Sequence, residues 1–196
     1  MLKKILVVGA IIASSASLAE TNAAPYLGGG LGILTNTSSY AANSSVTSGG
    51  VTTISGQPSN FRGVPFNVFL GYGGVINQNL YLAGEVFATL ATGEIQNNYG
   101  VKTTYGYGAS ILPGFMLSDH TLAFARAGLV SSHFVSGNQM RTGGQLGLGL
   151  QTSVTQNVDV RGEYDFTAYH SFNNAIGRVS APRSDAFNLS LVYKID

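Results

Sequence analysis

Past residue 24, apolar and polar side chains alternate with a period of two along most of the chain. This period marks strands with one apolar face. Over residues 184–195, Phe187, Leu189, Leu191, Tyr193 and Ile195 share one face, and Asn188, Ser190 and Lys194 share the other. Residues 158–169 repeat the pattern, with Val160, Tyr164, Phe166 and Ala168 opposed to Asp159, Arg161, Glu163, Asp165 and Thr167. Residues 79–90 set Leu80, Leu82, Val86 and Leu90 against Tyr81, Glu85 and Thr89. Residues 141–151 set Leu146, Leu148 and Leu150 against Arg141, Gln145 and Gln151. Four further segments, 26–34, 63–72, 103–115 and 121–134, follow the rule less cleanly. The reading is thus eight strands of about ten residues each.

Turn-forming residues separate these segments. Three connections are short (74–78, 118–120 and 155–157), and they alternate with four longer ones (35–62, 91–102, 135–140 and 171–183). Short turns at one end and long loops at the other predict an antiparallel up-and-down meander. An even number of strands lets that meander close on itself and removes every sheet edge. Alternation alone does not say which face is inside. A soluble β-sandwich or lipocalin-like barrel would turn its apolar face inward and its charges outward.

The loop asymmetry, the N-terminal export segment described below and the low charge together decide between the two. Charged residues are only 10% of the chain, with 26 Gly, 10 Tyr and 10 Phe, against about a quarter charged in soluble domains. The 44% apolar content argues against disorder. The polar faces carry Gly, Ser, Thr and Asn, and Tyr72, Tyr105, Phe115, Tyr164 and Tyr193 fall near strand ends on the apolar faces, as an interfacial girdle requires. The expected fold is therefore all-β: an eight-stranded antiparallel up-and-down transmembrane β-barrel, apolar outside and polar inside. In that setting Arg126, which shares parity with Leu122 and Phe124, must point inward. Facing lipid at the midplane would cost ~2–4 kcal/mol.

The N-terminus supports export. Lys3 and Lys4 precede an apolar stretch over residues 5–13, and Ser17-Leu18-Ala19 forms a small-x-small cleavage site. Residues 1–19 are read as a signal peptide, with Ala23 or Ala24 as later cleavage points, and residues 25–196 as the barrel domain. The apolar run is shorter than the ~20 residues a spanning helix needs. Without Lys3 and Lys4 the ten cations become eight against nine acids, so no basic face suits nucleic acid. The chain has no Cys, which excludes disulfides and thiolate metal sites.

Residues 103–134 (TTYGYGASILPGFMLSDHTLAFARAGLVSSHF), 143–164 (GGQLGLGLQTSVTQNVDVRGEY) and the terminal LSLVYKI resemble the outer-membrane β-barrel family that includes the opacity-type porins and the OmpA-like membrane domain. The resemblance covers the chain from about Tyr26 onward and rests on the combination of LPGF, ARAGLV and RGEY. It implies a bacterial outer-membrane location, outer-membrane lipid and the outer-membrane assembly machinery as partners, and loops that contact host or cell-surface ligands. Members of the family usually end on an aromatic residue that serves as an assembly signal, whereas this chain ends Tyr193-Lys194-Ile195-Asp196. No peptidoglycan-binding domain follows the last strand, so a wall-tethering role does not carry over.

Eight inward charges stand out as a barrel-interior network: Glu85, Arg126, Arg141, Asp159, Arg161, Glu163, Asp165 and Lys194. An eight-stranded barrel is just wide enough to be filled by side chains, and charges buried there must pair. The expectation is a salt-bridged plug, with a narrow ion pathway as the alternative. A lipid A-directed hydrolase would need a base, a nucleophile and an orienting acid together. His170 and Ser171, with Asp165 and Asp185 nearby, are adjacent in sequence and would face opposite sides of a strand; His133 beside Ser131 and Ser132 has the same weakness. His120, His133 and His170 are scattered, with His120 at the opposite end, and predict no metal site. The glycines of 28–32 and 143–149 lack the Lys-Ser/Thr of a phosphate loop. No cofactor is expected. The long segment 35–62 is nearly uncharged and rich in Ser, Thr, Asn and Gly, a hydrophilic cover or a contact surface. The function read from the sequence is a monomeric, non-enzymatic barrel with a structural or surface-interaction role, adhesion or host contact, through its long loops. A small non-specific pore and the hydrolase are the alternatives.

Overall fold

The structure, a computed structural model, describes residues 23–39, 44–47, 50–53, 58–98, 101–135, 138–173 and 178–195. The segment read as a signal peptide, residues 1–19, lies outside them. Eight long strands follow the two-residue alternation: β1 (Ala24–Ser39), β4 (Pro58–Asn77), β5 (Leu80–Asn98), β6 (Thr103–Ser118), β7 (Thr121–Phe134), β8 (Gln139–Ser153), β9 (Val158–Tyr169) and β12 (Arg183–Lys194). Four short strands form two hairpins, β2 (Ser44–Thr47) with β3 (Gly50–Thr53) and β10 (Phe172–Asn173) with β11 (Arg178–Val179).

The long strands close into a barrel in the order β1-β12-β9-β8-β7-β6-β5-β4. Every contact in the ring is antiparallel, and the seam between β1 and β12 holds register from Tyr26↔Lys194 to Thr37↔Arg183. Closure leaves the eight-stranded ring without a free sheet edge, the condition hydrocarbon imposes on a spanning sheet.

The faces are arranged as lipid requires. Leu129, Leu146, Leu148, Phe187, Leu189 and Leu191 all point outward, Leu148 with 68% of its surface exposed. On β9 the buried positions are Asp159, Arg161, Glu163, Asp165, Thr167 and Tyr169. A soluble barrel would show the reverse. Arg126 is buried beside Leu122 and Phe124, so the strand parity chosen on the cost of a lipid-facing guanidinium is the parity observed.

The strands are longer than the expected ten residues, at 12 to 20. Segments 35–62 and 91–102, read as loops, are in part strand: β1 continues to Ser39, β4 starts at Pro58 and β5 runs to Asn98. Above the belt neither face meets lipid, so alternation fades there although the backbone ladder continues. Register shifts at Arg62/Gly63 and Phe66/Asn67 curve this extension, as bulges do. The turn read at 74–78 is a two-residue connection, Gln78–Asn79, with Gln78 at φ 41°.

Inside, two apolar clusters bracket a polar middle. Tyr26, Ala83, Leu112, Leu122, Phe124 and Val192 pack toward the short-turn end with Phe69, Tyr81 and Met116. Val101, Val130, Phe134, Tyr169 and Val179 pack toward the other end with Phe87. Inward glycines make room for the rings. Tyr26 pairs across from Gly71, and Phe69 across from Gly28. A Cβ on Gly71 would come within 2.6 Å of Tyr26 Cε2, and one on Gly28 within 2.5 Å of Phe69 Cε2.

Candidate functional site

Strand register brings inward side chains from several wall strands together at the middle of the lumen. Arg126 on β7 lies opposite Gly147 on β8, where a Cβ would press on the Asp165 carboxylate and come 3.3 Å from Arg126 Cβ. Arg126 Nη2 donates to Glu85 Oε1 at 2.5 Å and to Glu163 Oε2 at 3.0 Å. Its Nη1 donates to Ser110 Oγ at 2.7 Å and its Nε to Glu163 Oε1. Glu85 is shared. Its Oε2 accepts from Arg161 Nη1 at 2.6 Å and from the Tyr26 hydroxyl at 3.2 Å.

From Arg161 the chain of bonds runs toward the short-turn end. Arg161 Nε donates to Gln151 Oε1 at 2.8 Å, and Gln151 Nε2 donates to Asp159 Oδ2 at 2.6 Å. Lys194 Nζ completes it, 3.0 Å from Asp159 Oδ1. Aromatic faces sandwich the cations: the Arg161 guanidinium lies 4.6 Å from the Phe69 ring centre and 5.2 Å from that of Phe124, and Arg126 lies 5.3 Å from Phe87. Such contacts offset part of the lost hydration. Glu85 is 1% exposed and Arg161 2%.

Seven of the eight sequence-derived interior charges therefore meet in one system. Asp165 joins at its margin, with Oδ1 3.7 Å from Arg126 Nε and Oδ2 accepting from Asn188 Nδ2 at 3.0 Å. Arg141 lies apart, near the start of β8, where it donates to Gln139 Oε1. The neutral members Tyr26, Ser110 and Asn188 were not singled out from sequence. Their inward parity was the available signal, but parity does not say which neutral side chain meets a charge. The Lys102–Glu94 pair, at 2.8 Å, was also missed because both residues lie in a segment read as a loop.

A cavity of about 90 Å³ lies in the outer half of the lumen, bordered by Glu163, Asp165, Gln145, Thr167, Ser184 and Tyr169 among others. A second, of about 180 Å³, faces the short-turn end and is bordered by Tyr26, His120, Asp159 and Lys194 among others.

The histidines stay separate. His133 stacks on Tyr105 with ring centres 4.7 Å apart. Its Nδ1 sits 3.0 Å from Thr104 Oγ1, and its Nε2 3.0 Å from Asn138 Oδ1. Ser131 instead bonds Thr142, and Ser132 bonds the Tyr169 hydroxyl. His170 and Ser171 are both exposed just beyond β9, and His120 sits in the β6–β7 turn at the other end. Among the described residues no group of three or more His, Asp or Glu is placed to hold a metal ion.

A family model described as the outer membrane protein beta-barrel domain matches residues 5–194. No curated protein matches the chain. Among solved structures the chain is similar to Neisserial surface protein A (NspA), with 19% identity over 89% of this chain and 99% of that one and a TM-score of 0.49. It is similar to Ail, the attachment invasion locus protein of Yersinia pestis, with 12% identity over 86% and 98% of the two chains and a TM-score of 0.40. A structure of Ail in complex with the heparin analogue sucrose octasulfate matches at 17% identity over 86% and 99%, with a TM-score of 0.42. The match over nearly the whole length, together with a closed barrel that is apolar outside and charged within, means that the chain belongs to the outer membrane protein beta-barrel domain family and is a β-barrel of the bacterial outer membrane.

Proposed function

We propose that this barrel is a non-enzymatic surface protein that contacts host or cell-surface ligands through its outer end. The supporting observation is the length of β4 and β5, 20 and 19 residues, against the 9–11 that a tilted strand needs to cross the bilayer. Outward apolar residues end at Phe66 on β4 and, apart from Ile95, at Leu90 on β5. The stretches beyond them, 58–65 and 91–98, therefore stand clear of the lipid belt together with the end of β1. They present Asn60, Arg62, Glu94, Gln96 and Asn97 to solvent. Residues 1–19 act in this reading as the export signal, and the mature barrel works as a monomer inserted by the outer-membrane assembly machinery.

The lumen supports a plug more than a pore, because Arg126, Arg161, Glu85 and Glu163 cross-link opposite walls at mid-height. The test uses cells displaying the protein, with residues 40–57 replaced by a short turn. Binding of those cells to host-cell layers is expected to fall to the level of the empty strain while folded barrel in the outer membrane stays constant. Unchanged binding would refute the contact role. In planar bilayers the intact protein is expected to show no stable conductance steps, and regular steps would favour the pore.

A further inference from the structure

Cations that reach the outside of the barrel gather at one end. Among the described residues they are Arg62 on β4, Lys102 just before β6 and Arg183 on β12, all at the long-loop end. At the short-turn end Lys194 turns inward to Asp159. Lys102 is committed to Glu94. Arg62 and Arg183 are both exposed, and among the described residues neither meets an acid.

Register sets these two arginines on either side of β1. Arg62 lies opposite Thr35 and Arg183 opposite Thr37. Asn36 between the threonines is buried, so both threonines turn outward with the arginines. Below them the apolar face of the same three strands ends at Phe66, Ile33 and Phe187. With a rise of ~3.3 Å per residue and the tilt of a spanning strand, Thr35 and Arg62 stand roughly 5 Å above Ile33, and Thr37 and Arg183 roughly 9 Å. The headgroup layer that starts there is about 5–8 Å deep, and a guanidinium on its flexible stem reaches into it. Lipid headgroups are therefore what this face meets. Among the described residues Asp185, opposite Thr35, is the acid of the face, and it already accepts the Tyr164 hydroxyl.

We infer that Arg62 and Arg183, with the hydroxyls of Thr35 and Thr37 between them, bind the phosphate of an outer-leaflet lipid headgroup on the β12–β1–β4 wall. A planar guanidinium pairs with phosphate oxygens through two parallel N–H donors. Two cations against one acid leave the face net positive, which attracts a phosphorylated headgroup and repels a cationic one. The patch is independent of the surface-contact role.

The test titrates the full chain, folded in detergent micelles, with lipid A, a disaccharide lipid bearing phosphate monoesters, and with the same lipid after its phosphates are removed. Bound lipid is counted by native mass spectrometry. The wild type is expected to bind the phosphorylated form on the order of tenfold more tightly. The double variant Arg62→Gln/Arg183→Gln should bind both forms alike, and Lys102→Gln should behave as the wild type. Equal binding of the two forms by the wild type, an undiminished preference in the double variant, or an equal loss in Lys102→Gln would overturn the inference. So would displacement of lipid A by an equal concentration of inorganic phosphate, which would give the patch to a soluble anion. Should the double variant fail to fold, Arg183→Gln alone decides. A preference reduced several-fold supports the patch, and an unchanged one refutes it.

Discussion

Glu85 serves two guanidiniums at once, Arg126 through Oε1 and Arg161 through Oε2. Replacing it by Ala leaves Arg161 without its carboxylate and Arg126 with Glu163 as its close acid, and breaking a buried pair in this way costs about 3–5 kcal/mol. Urea unfolding in vesicles is expected to show a loss of that size for Glu85→Ala. Glu85→Gln combined with Arg161→Met should lose less than the two single changes summed, with a coupling of about 0.5–3 kcal/mol. Additive losses would mean that the two side chains do not interact. Packing is equally local. A Cβ on Gly28 would lie 2.5 Å from Phe69 Cε2 and 2.6 Å from the Leu191 carbonyl oxygen. Gly28→Ala is expected to cost about 1–3 kcal/mol by overpacking, and Phe69→Leu in the same chain to return only part, because the carbonyl stays. Membership of the interior could be read from sequence through parity, as Arg126 showed. The partners could not, because Glu85 and Arg161 stand 76 positions apart and meet only once the ring has closed.

At the scale of the element, strands are legible where lipid reads them. The boundaries expected for β7 and β9, 121–134 and 158–169, are those observed, since both strands lie almost wholly within the belt. The extension of β5 over ATGEIQNN was read as loop. Gly and Asn, and to a lesser degree Glu and Ala, are poor strand formers, and above the belt the neighbouring strand holds the backbone rather than a buried apolar face. Turns carry their own strain. Gln78 adopts φ 41° between β4 and β5, a left-handed conformation that costs a side-chain-bearing residue roughly 1–2 kcal/mol. Glycine avoids that cost but gains freedom in the unfolded chain worth about 0.4–1 kcal/mol. Gln78→Gly is therefore expected to raise stability by up to about 1 kcal/mol in the same urea assay. A loss would show that the Gln78 side chain makes a compensating contact.

The whole molecule is a cylinder whose two faces answer to different solvents. Outside, rows of Leu, Phe and Tyr meet hydrocarbon, while Tyr164 donates to Asp185 Oδ1 at 2.5 Å at the outer end of the belt. Inside, every wall strand contributes to one chain of charges and rings, so the lumen is built from the same strands that form the lipid face. The connection between the two faces is the register, and a slip of one residue would exchange them. Because the chain has no Cys, single cysteines can be introduced along β12 from Arg183 to Lys194 and labelled with a nitroxide in lipid vesicles. The structure predicts contact with lipid-dissolved oxygen at positions 187, 189, 191 and 193, and protection at 188, 190 and 192. Oxygen contact at 188, 190 and 192, or no two-residue period at all, would contradict it.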